Sequence, residues 1–231
     1  MIFEQQTSKR RATLCIFFVL ASFCGVAQER MIPALICDNS GSRGYETSLI
    51  ELFNIGKASK FAFLVKPSFS PEYCLSYENK TQQLVLKEAA SIVWKSQEWY
   101  WGDPKERKPN KKIDIVEYRL PFSKDMADSL QRMFVAAVLT SSFMGDTIMG
   151  FDGTTYEFII QPGFSKVATC WSPDEGSNCG QAVAVMEQLC EAVKIGDKEL
   201  AESLLEEIVR VANLFRQFYP EDFRQEQVFC R

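Results

Sequence analysis

Two cysteines enclose the stretch CWSPDEGSNCG, residues 170–180, together with a tryptophan, two carboxylates and two glycines. Three kinds of site could use these side chains. They are a disulfide between Cys170 and Cys179, a metal site, and a reactive thiolate at the start of a helix. The choice depends on the compartment, because disulfides persist in oxidising spaces and are rare in the cytosol.

The N-terminus predicts export. A basic run, KRR at 9–11, precedes the apolar run ATLCIFFVLASFC at 12–24, and small residues lead up to Ala27. This order is typical of a signal peptide, and the apolar run is shorter than the roughly 20 residues of a spanning helix. We therefore expect residues 1–27 to be removed and the mature chain to begin at Gln28. That chain would be periplasmic or secreted, with no membrane span after cleavage.

Export changes how the thiols are interpreted. Six of the eight cysteines would remain in the mature chain: Cys37, Cys74, Cys170, Cys179, Cys190 and Cys230. An even count in an exported chain favours disulfides, although spacing alone cannot choose among the pairings. We predict a Cys170–Cys179 bridge across a short loop, and Cys37–Cys230 as a second pair near the two mature ends. Cys190 lies in an apolar helical stripe, which is typical of a buried free cysteine.

The chain contains no histidine. This excludes Ser-His-Asp and Cys-His catalysis and every His-ligated metal site. No two mature cysteines have C-x-x-C spacing, so we expect neither a metal nor another cofactor.

A carboxylate pair remains possible as an acid and base. Asp152 could act with Asp174 or Glu175, provided that the carboxyl groups lie about 5 to 9 Å apart. The favoured alternative is structural. Ser172 and Glu175 fit a capping box, with Pro173 at the first helical position.

The hydrophobic pattern predicts an α+β fold: an antiparallel sheet with helices packed on one face and a C-terminal helix pair. We expect a single domain over 28–231, with its core at about 60–218. Strands are predicted at 61–69, 72–78, 82–89, 91–101, 112–120, around the Asp152-Gly153 turn and at 165–171. Helices are predicted before residue 60, from the N-cap Ser123 to 139, at 178–194 with Gly196 as its stop, and from Asp197 to before Pro220.

Three segments carry a resemblance: PSFSPEYCLSY (67–77), GFDGTTYEF (150–158) and CWSPDEG (170–176). With the helix that follows, they resemble an uncharacterised family of bacterial envelope proteins that have a D-G-T-x-aromatic hairpin and a W-S-P turn. The likeness spans about residues 60–195. It implies an exported α+β protein without an assigned activity, so it supplies no catalytic residues.

An aromatic and basic segment at 94–112, WKSQEWYWGDPKERKPNKK, could bind a ligand. Trp99 and Trp101 would share one strand face, next to Lys105 and Arg107. Exposed rings beside cations suit a sugar or an anionic polymer. The alternative is a core-facing tryptophan pair beside a solvated loop.

Two function classes follow. The favoured one is an exported, non-catalytic envelope protein that binds a protein, peptide or glycan. The alternative is a carboxylate-based hydrolase of glycan or cell wall. The net charge of −4 argues against a nucleic-acid partner, which would call for a basic domain.

The leader gives a first testable prediction. Because all three regions of a signal peptide are present, the exported protein should begin at Gln28. Intact-mass measurement of the exported product checks this, and a product that retains residues 1–27 would contradict it.

Overall fold

A computed structural model describes residues 31–34, 43–56, 59–96, 112–142, 152–160 and 166–218. This part of the chain forms a seven-stranded antiparallel sheet with helices, which confirms the predicted α+β fold. Among these residues, no helix combines the length and hydropathy needed to cross a bilayer.

The sheet order is β1-β7-β6-β2-β3-β4-β5, and every neighbouring pair is antiparallel. The strands are β1 (Ile32–Ala34), β2 (Ser59–Pro67), β3 (Tyr73–Glu78), β4 (Gln83–Ala89), β5 (Ile115–Pro121), β6 (Thr154–Ile160) and β7 (Lys166–Trp171). The helices are α1 (Arg43–Phe53), α2 (Lys124–Leu139), α3 (Asn178–Ile195), α4 (Lys198–Ser203) and α5 (Leu205–Phe218).

The central strand β2 is buried on both faces. Successive side chains point to opposite faces of a sheet, so Phe61 and Phe63 face one core while Ala62 and Leu64 face another. This explains why β2 is a continuous apolar run rather than an alternating one. Both faces must therefore be covered.

The first face carries the larger core, beneath α2, α3 and α5. Its centre is a set of aromatic rings that join the sheet to α2. Phe134 lies 4.8 Å from Phe61 and 5.0 Å from Phe158, and Phe158 lies 5.1 Å from Phe63, between ring centroids. Tilted and edge-on contacts at this separation add to the free energy of burial. These contacts account for part of the high phenylalanine content.

The second face is covered by α1, which the prediction of helices on one face did not include. Leu49 and Phe53 of α1 are buried with Leu64 of β2 and Ile159 of β6. The apolar side of α1 thus closes a smaller core of its own. The sheet lies between two helical layers of unequal size.

The predicted helix boundaries hold at three positions. The hydroxyl of Ser123 accepts a hydrogen bond from the backbone N–H of Met126, and Asp197 accepts one from the N–H of Leu200. Gly196 ends α3 with a left-handed φ of 74°, which glycine adopts without steric cost. The last predicted helix is divided at Leu204 into α4 and α5.

The predicted capping box at 172–175 is wrong. The N-cap of α3 is Ser177, with φ −73° and ψ 159°, and its hydroxyl accepts from Gly180 N at 2.9 Å. Ser172 has φ +36°, outside the extended region that an N-cap requires. Its hydroxyl instead accepts a hydrogen bond from Thr154 N, on the neighbouring strand, at 3.0 Å. A tertiary contact therefore outweighs the local motif.

The predicted strand at 91–101 is also wrong over its described part. Residues Trp94–Ser96 form a single 3₁₀ turn. The backbone N–H groups of Val93 and Trp94 donate to the carboxylate of Glu72, at 2.7 and 3.1 Å. These donors are therefore taken by a buried side chain instead of a strand ladder.

The start of α3 gives a stability prediction. A Cβ added to Gly180 would lie 1.9 Å from the carbonyl oxygen of Asp174, whereas one added to Gly176 would meet nothing within 4 Å. Gly180→Ala should lower the free energy of unfolding by about 1–3 kcal/mol or more, despite the better helix propensity of alanine. Gly176→Ala is the matched control and should change it by less than about 0.5 kcal/mol. Equal midpoints in urea for both variants would contradict this account of the turn.

Candidate functional site

Three strand ends are joined at one end of the sheet by hydrogen bonds between Ser68 and Gly153 and between Ser172 and Thr154, and we call these residues the strand-end junction. The N–H and hydroxyl of Ser68 donate to Gly153 O at 3.0 and 2.7 Å. The N–H of Ser172 donates to Thr154 O at 2.9 Å, and its hydroxyl accepts from Thr154 N. These bonds fix the loops that follow β2 and β7 and the turn that precedes β6.

Gly153 is required by the close packing at this junction. A Cβ at this position would lie 2.5 Å from Ser172 Oγ and 2.6 Å from two ring atoms of Trp171. The glycine of the D-G-T motif therefore packs directly on the tryptophan and serine of the W-S-P motif. Ser68, from the segment PSFSPEYCLSY, completes the contact through its hydrogen bonds to Gly153.

The junction presents one large apolar side chain to solvent. Phe69, in the turn between β2 and β3, is 73% exposed, the highest value among the large hydrophobic residues in the described part of the chain. Asp152, Asp174 and Glu175 are exposed in the adjoining loops.

The three carboxylates predicted as acid and base lie in the two loops that meet at the junction, and their pairing stays a prediction. In the described residues, the side chains of Asp152, Asp174 and Glu175 form no hydrogen bond or ion pair with one another or with a cation. The part of the chain that the structure describes also contains no group of three His, Cys, Asp or Glu side chains suited to a metal ion.

Beside the junction, on the second face, lies a charge cluster of Glu46, Lys66 and Glu157. Lys66 Nζ lies 2.8 Å from Glu46 Oε1 and also donates to Glu157 Oε1. The Lys66 and Glu157 side chains are only 13% and 10% exposed, and that of Glu46 is 27% exposed. The cluster joins α1 to β2 and β6. Lys66 precedes Ser68 of the junction by two residues.

Burial and pairing set the charges of this cluster. Desolvation raises the pKa of Glu157 above its usual value. Burial alone would lower the pKa of Lys66, but the charges of Glu157 and Glu46 outweigh it and raise that pKa. Lys66 is therefore a permanent cation between two carboxylates.

A second polar contact fixes the neighbouring residue of α1. The Tyr45 hydroxyl donates to Glu72 Oε1 at 2.8 Å, and Glu72 is fully buried just before β3. Burial and then the charge of Glu72 raise the pKa of Tyr45, so the hydroxyl stays protonated and remains a donor. Two consecutive residues of α1 thus anchor it to this end of the sheet.

Sequence reasoning missed these five contributors: Tyr45, Glu46, Lys66, Glu72 and Glu157. A signal was present for two of them. Lys66 directly follows the apolar run FAFLV. Glu157 stands among the apolar residues of TTYEFII. A charge at a buried strand position requires a partner, which predicts an ion pair but does not identify its members.

The predicted Cys170–Cys179 bridge is not formed. Both residues are free, buried thiols that hydrogen-bond to each other. This hydrogen bond and then burial raise the pKa of Cys170 well above its usual value. Cys190 is a buried free thiol as predicted, and so is Cys74.

Several predicted residues lie outside the described residues, and those predictions stand untested. They are the leader at 1–27, Cys37, Cys230, Trp99, Trp101, Lys105 and Arg107.

The charge cluster gives a stability prediction. Lys66→Met leaves two carboxylates without their cation, and removing one partner of a buried pair costs about 3–5 kcal/mol. Lys60→Met, in the same strand, is the control because the Lys60–Asp128 pair is about one-third exposed and should contribute less than about 1 kcal/mol. Adding Glu157→Gln to Lys66→Met should restore part of the loss. If Lys66→Met and Lys60→Met shift the urea unfolding midpoint by similar, small amounts, a structural role for the cluster is ruled out.

No protein-family model, no curated protein and no solved structure matches this chain. Its function therefore has to be inferred from the strand-end junction and the charge cluster themselves.

Proposed function

We propose that this chain is an exported envelope protein, periplasmic or secreted, that binds a protein, peptide or glycan partner at its strand-end junction and does not catalyse a reaction. The leader-like N-terminus supports export. The observation that carries the binding proposal is the exposed Phe69 at the point where three loop segments converge.

Packing in the two cores does not explain why a phenylalanine occupies position 69. Its ring faces solvent, while the other described phenylalanines with assigned burial, such as Phe61 and Phe158, are buried. Burial of an aromatic ring of this size yields several times the free energy of a small side chain, so an exposed ring suits a binding anchor.

The turn that carries Phe69 is held rigid. Pro67 and Pro71 flank it in the sequence PSFSP, and Ser68 is hydrogen-bonded to Gly153 through both its backbone and its hydroxyl. A restricted loop loses little conformational entropy on binding. A rigid scaffold that presents an exposed loop residue is a common basis for recognition.

Polar groups lie in the loops that meet at the strand-end junction. Asp152, Asp174 and Glu175 are exposed and form no ion pair in the described residues, so they are available to accept hydrogen bonds from a ligand. Acceptors beside an apolar ring suit the amines of a peptide as well as the hydroxyl groups of a glycan.

The predicted aromatic loop starts from the same end of the sheet. Glu72, three residues after Phe69, holds the backbone of Val93 and Trp94. The chain then enters the segment with Trp99, Trp101, Lys105 and Arg107. We propose that this segment extends the binding surface at the strand-end junction.

The hydrolase alternative is less well supported. The two carboxylates that converge in the described residues, Glu46 and Glu157, have the ammonium group of Lys66 between them. A carboxylate pair bridged by a lysine ammonium differs from both glycosidase arrangements, in which the sugar or a water molecule lies between the carboxyl groups.

The proposal predicts a loss of binding without a loss of stability. Immobilised wild-type protein should retain a component of envelope extract or soluble cell-wall glycan, and Phe69→Ala should retain at least about tenfold less of it, as expected for an anchor worth about 1.4 kcal/mol or more. The unfolding midpoint should not change, because the ring is exposed.

Val209→Ala is the matched control, since Val209 is an exposed apolar residue on α5, in the helical layer of the first face. It should bind as the wild type does. Equal retention by Phe69→Ala and wild type, measured by quantitative mass spectrometry, would contradict the proposed site.

A further inference from the structure

Cys170 and Cys179 form a pair of thiols within one core. Cys170 is the second-last residue of β7 and Cys179 the second residue of α3, and they are 1% and 0% exposed. Their side chains hydrogen-bond to each other. Contact between two thiols is the arrangement from which a disulfide forms without a large backbone movement.

Rigid elements hold both residues in place. Cys170 is paired with Tyr156 in the β6–β7 ladder, and Ser177 caps the helix that carries Cys179. Between them, the carbonyl of Asp174 packs onto the α carbon of Gly180, which brings the connecting loop back against the first turn of α3. The pairing is therefore built into the backbone.

We infer that Cys170 and Cys179 are a reversible dithiol–disulfide couple whose oxidation ties the end of β7 to the start of α3. This inference concerns the two thiols alone and stands whether or not Phe69 anchors a ligand. The loop that the bond would close includes Ser172, a member of the strand-end junction. Oxidation would therefore restrict the W-S-P side of the junction.

The reaction is thiol–disulfide exchange with a disulfide-bearing oxidant such as oxidised glutathione. The thiolate of Cys179 attacks one sulfur of the oxidant, forms a mixed disulfide and releases one thiolate. Cys170, once deprotonated, attacks the Cys179 sulfur, forms the Cys170–Cys179 bond and releases the second thiolate. The protein loses two electrons and two protons, and the oxidant becomes two thiols.

The other two described thiols do not compete for this bond. Cys74 belongs to the core on the second face of the sheet, and burial raises its pKa to about 12. Cys190 follows Cys179 by three helical turns, about 16 Å along α3 at 1.5 Å per residue. Burial also raises the pKa of Cys190 well above its usual value.

The test is disulfide mapping of the full-length chain after refolding in glutathione buffers of graded redox potential. Refolding from both the reduced and the oxidised protein gives the oxidant access to thiols that are buried in the native state. Free thiols are then alkylated in denaturant. Trypsin alone leaves 167–194 in one piece, and a Glu-specific protease cuts after Glu175 and Glu187, so it separates the three cysteines in that piece.

At the oxidising end we expect the fragment with Cys170 to stay joined to the fragment with Cys179, with a mass lower by two hydrogens, and the link to disappear on reduction. Cys190→Ser should keep the link and Cys179→Ser should abolish it. Hydrogen exchange in the 171–178 loop should slow on oxidation. Alkylation of both Cys170 and Cys179 at every potential, or a link from either one to Cys190 or Cys74, would overturn the inference.

Discussion

One ammonium group, Lys66 Nζ, lies between two carboxylates on the second face of the sheet, which carries the smaller apolar core. Removing a charge from water costs several kcal/mol unless a partner of opposite charge meets it. Glu157 supplies one partner from β6, and Glu46 supplies the other only if α1 lies across the second face. The position of α1 therefore depends on this one buried cation as well as on Leu49 and Phe53.

The position of α1 has consequences for the next segment of the chain. Once Glu46 meets Lys66, the adjacent Tyr45 reaches Glu72, and Glu72 accepts hydrogen bonds from the backbone N–H groups of Val93 and Trp94. The segment after β4 becomes a 3₁₀ turn for this reason. Buried polar contacts thus place the start of the aromatic segment at the end of the sheet where Phe69 is exposed.

Local signals in the sequence were sufficient for most elements of the fold. The predicted strands at 72–78 and 82–89 differ from β3 and β4 by one residue, and the helix signals at Ser123, Gly196 and Asp197 were correct because each depends on a side chain's own backbone neighbours. The predictions of a capping box at Ser172 and of a strand at 91–101 were wrong because the hydrogen bonds of these residues come from residues distant in the sequence. The same limit applies to the candidate site. The sequence pattern places the charges of Lys66 and Glu157 within or beside apolar strand segments. Only the sheet register and the position of α1 bring Glu46, Lys66 and Glu157 together.

The central claim is that a partner is recognised at the strand-end junction. Hydrogen–deuterium exchange of the wild-type chain, with and without the partner retained from envelope extract, tests it most directly. The account predicts slower exchange on binding in three loops, 68–73, 152–155 and 171–177, and no change in α5. Protection confined to α5 or to the β5 edge, with none in these loops, would contradict it.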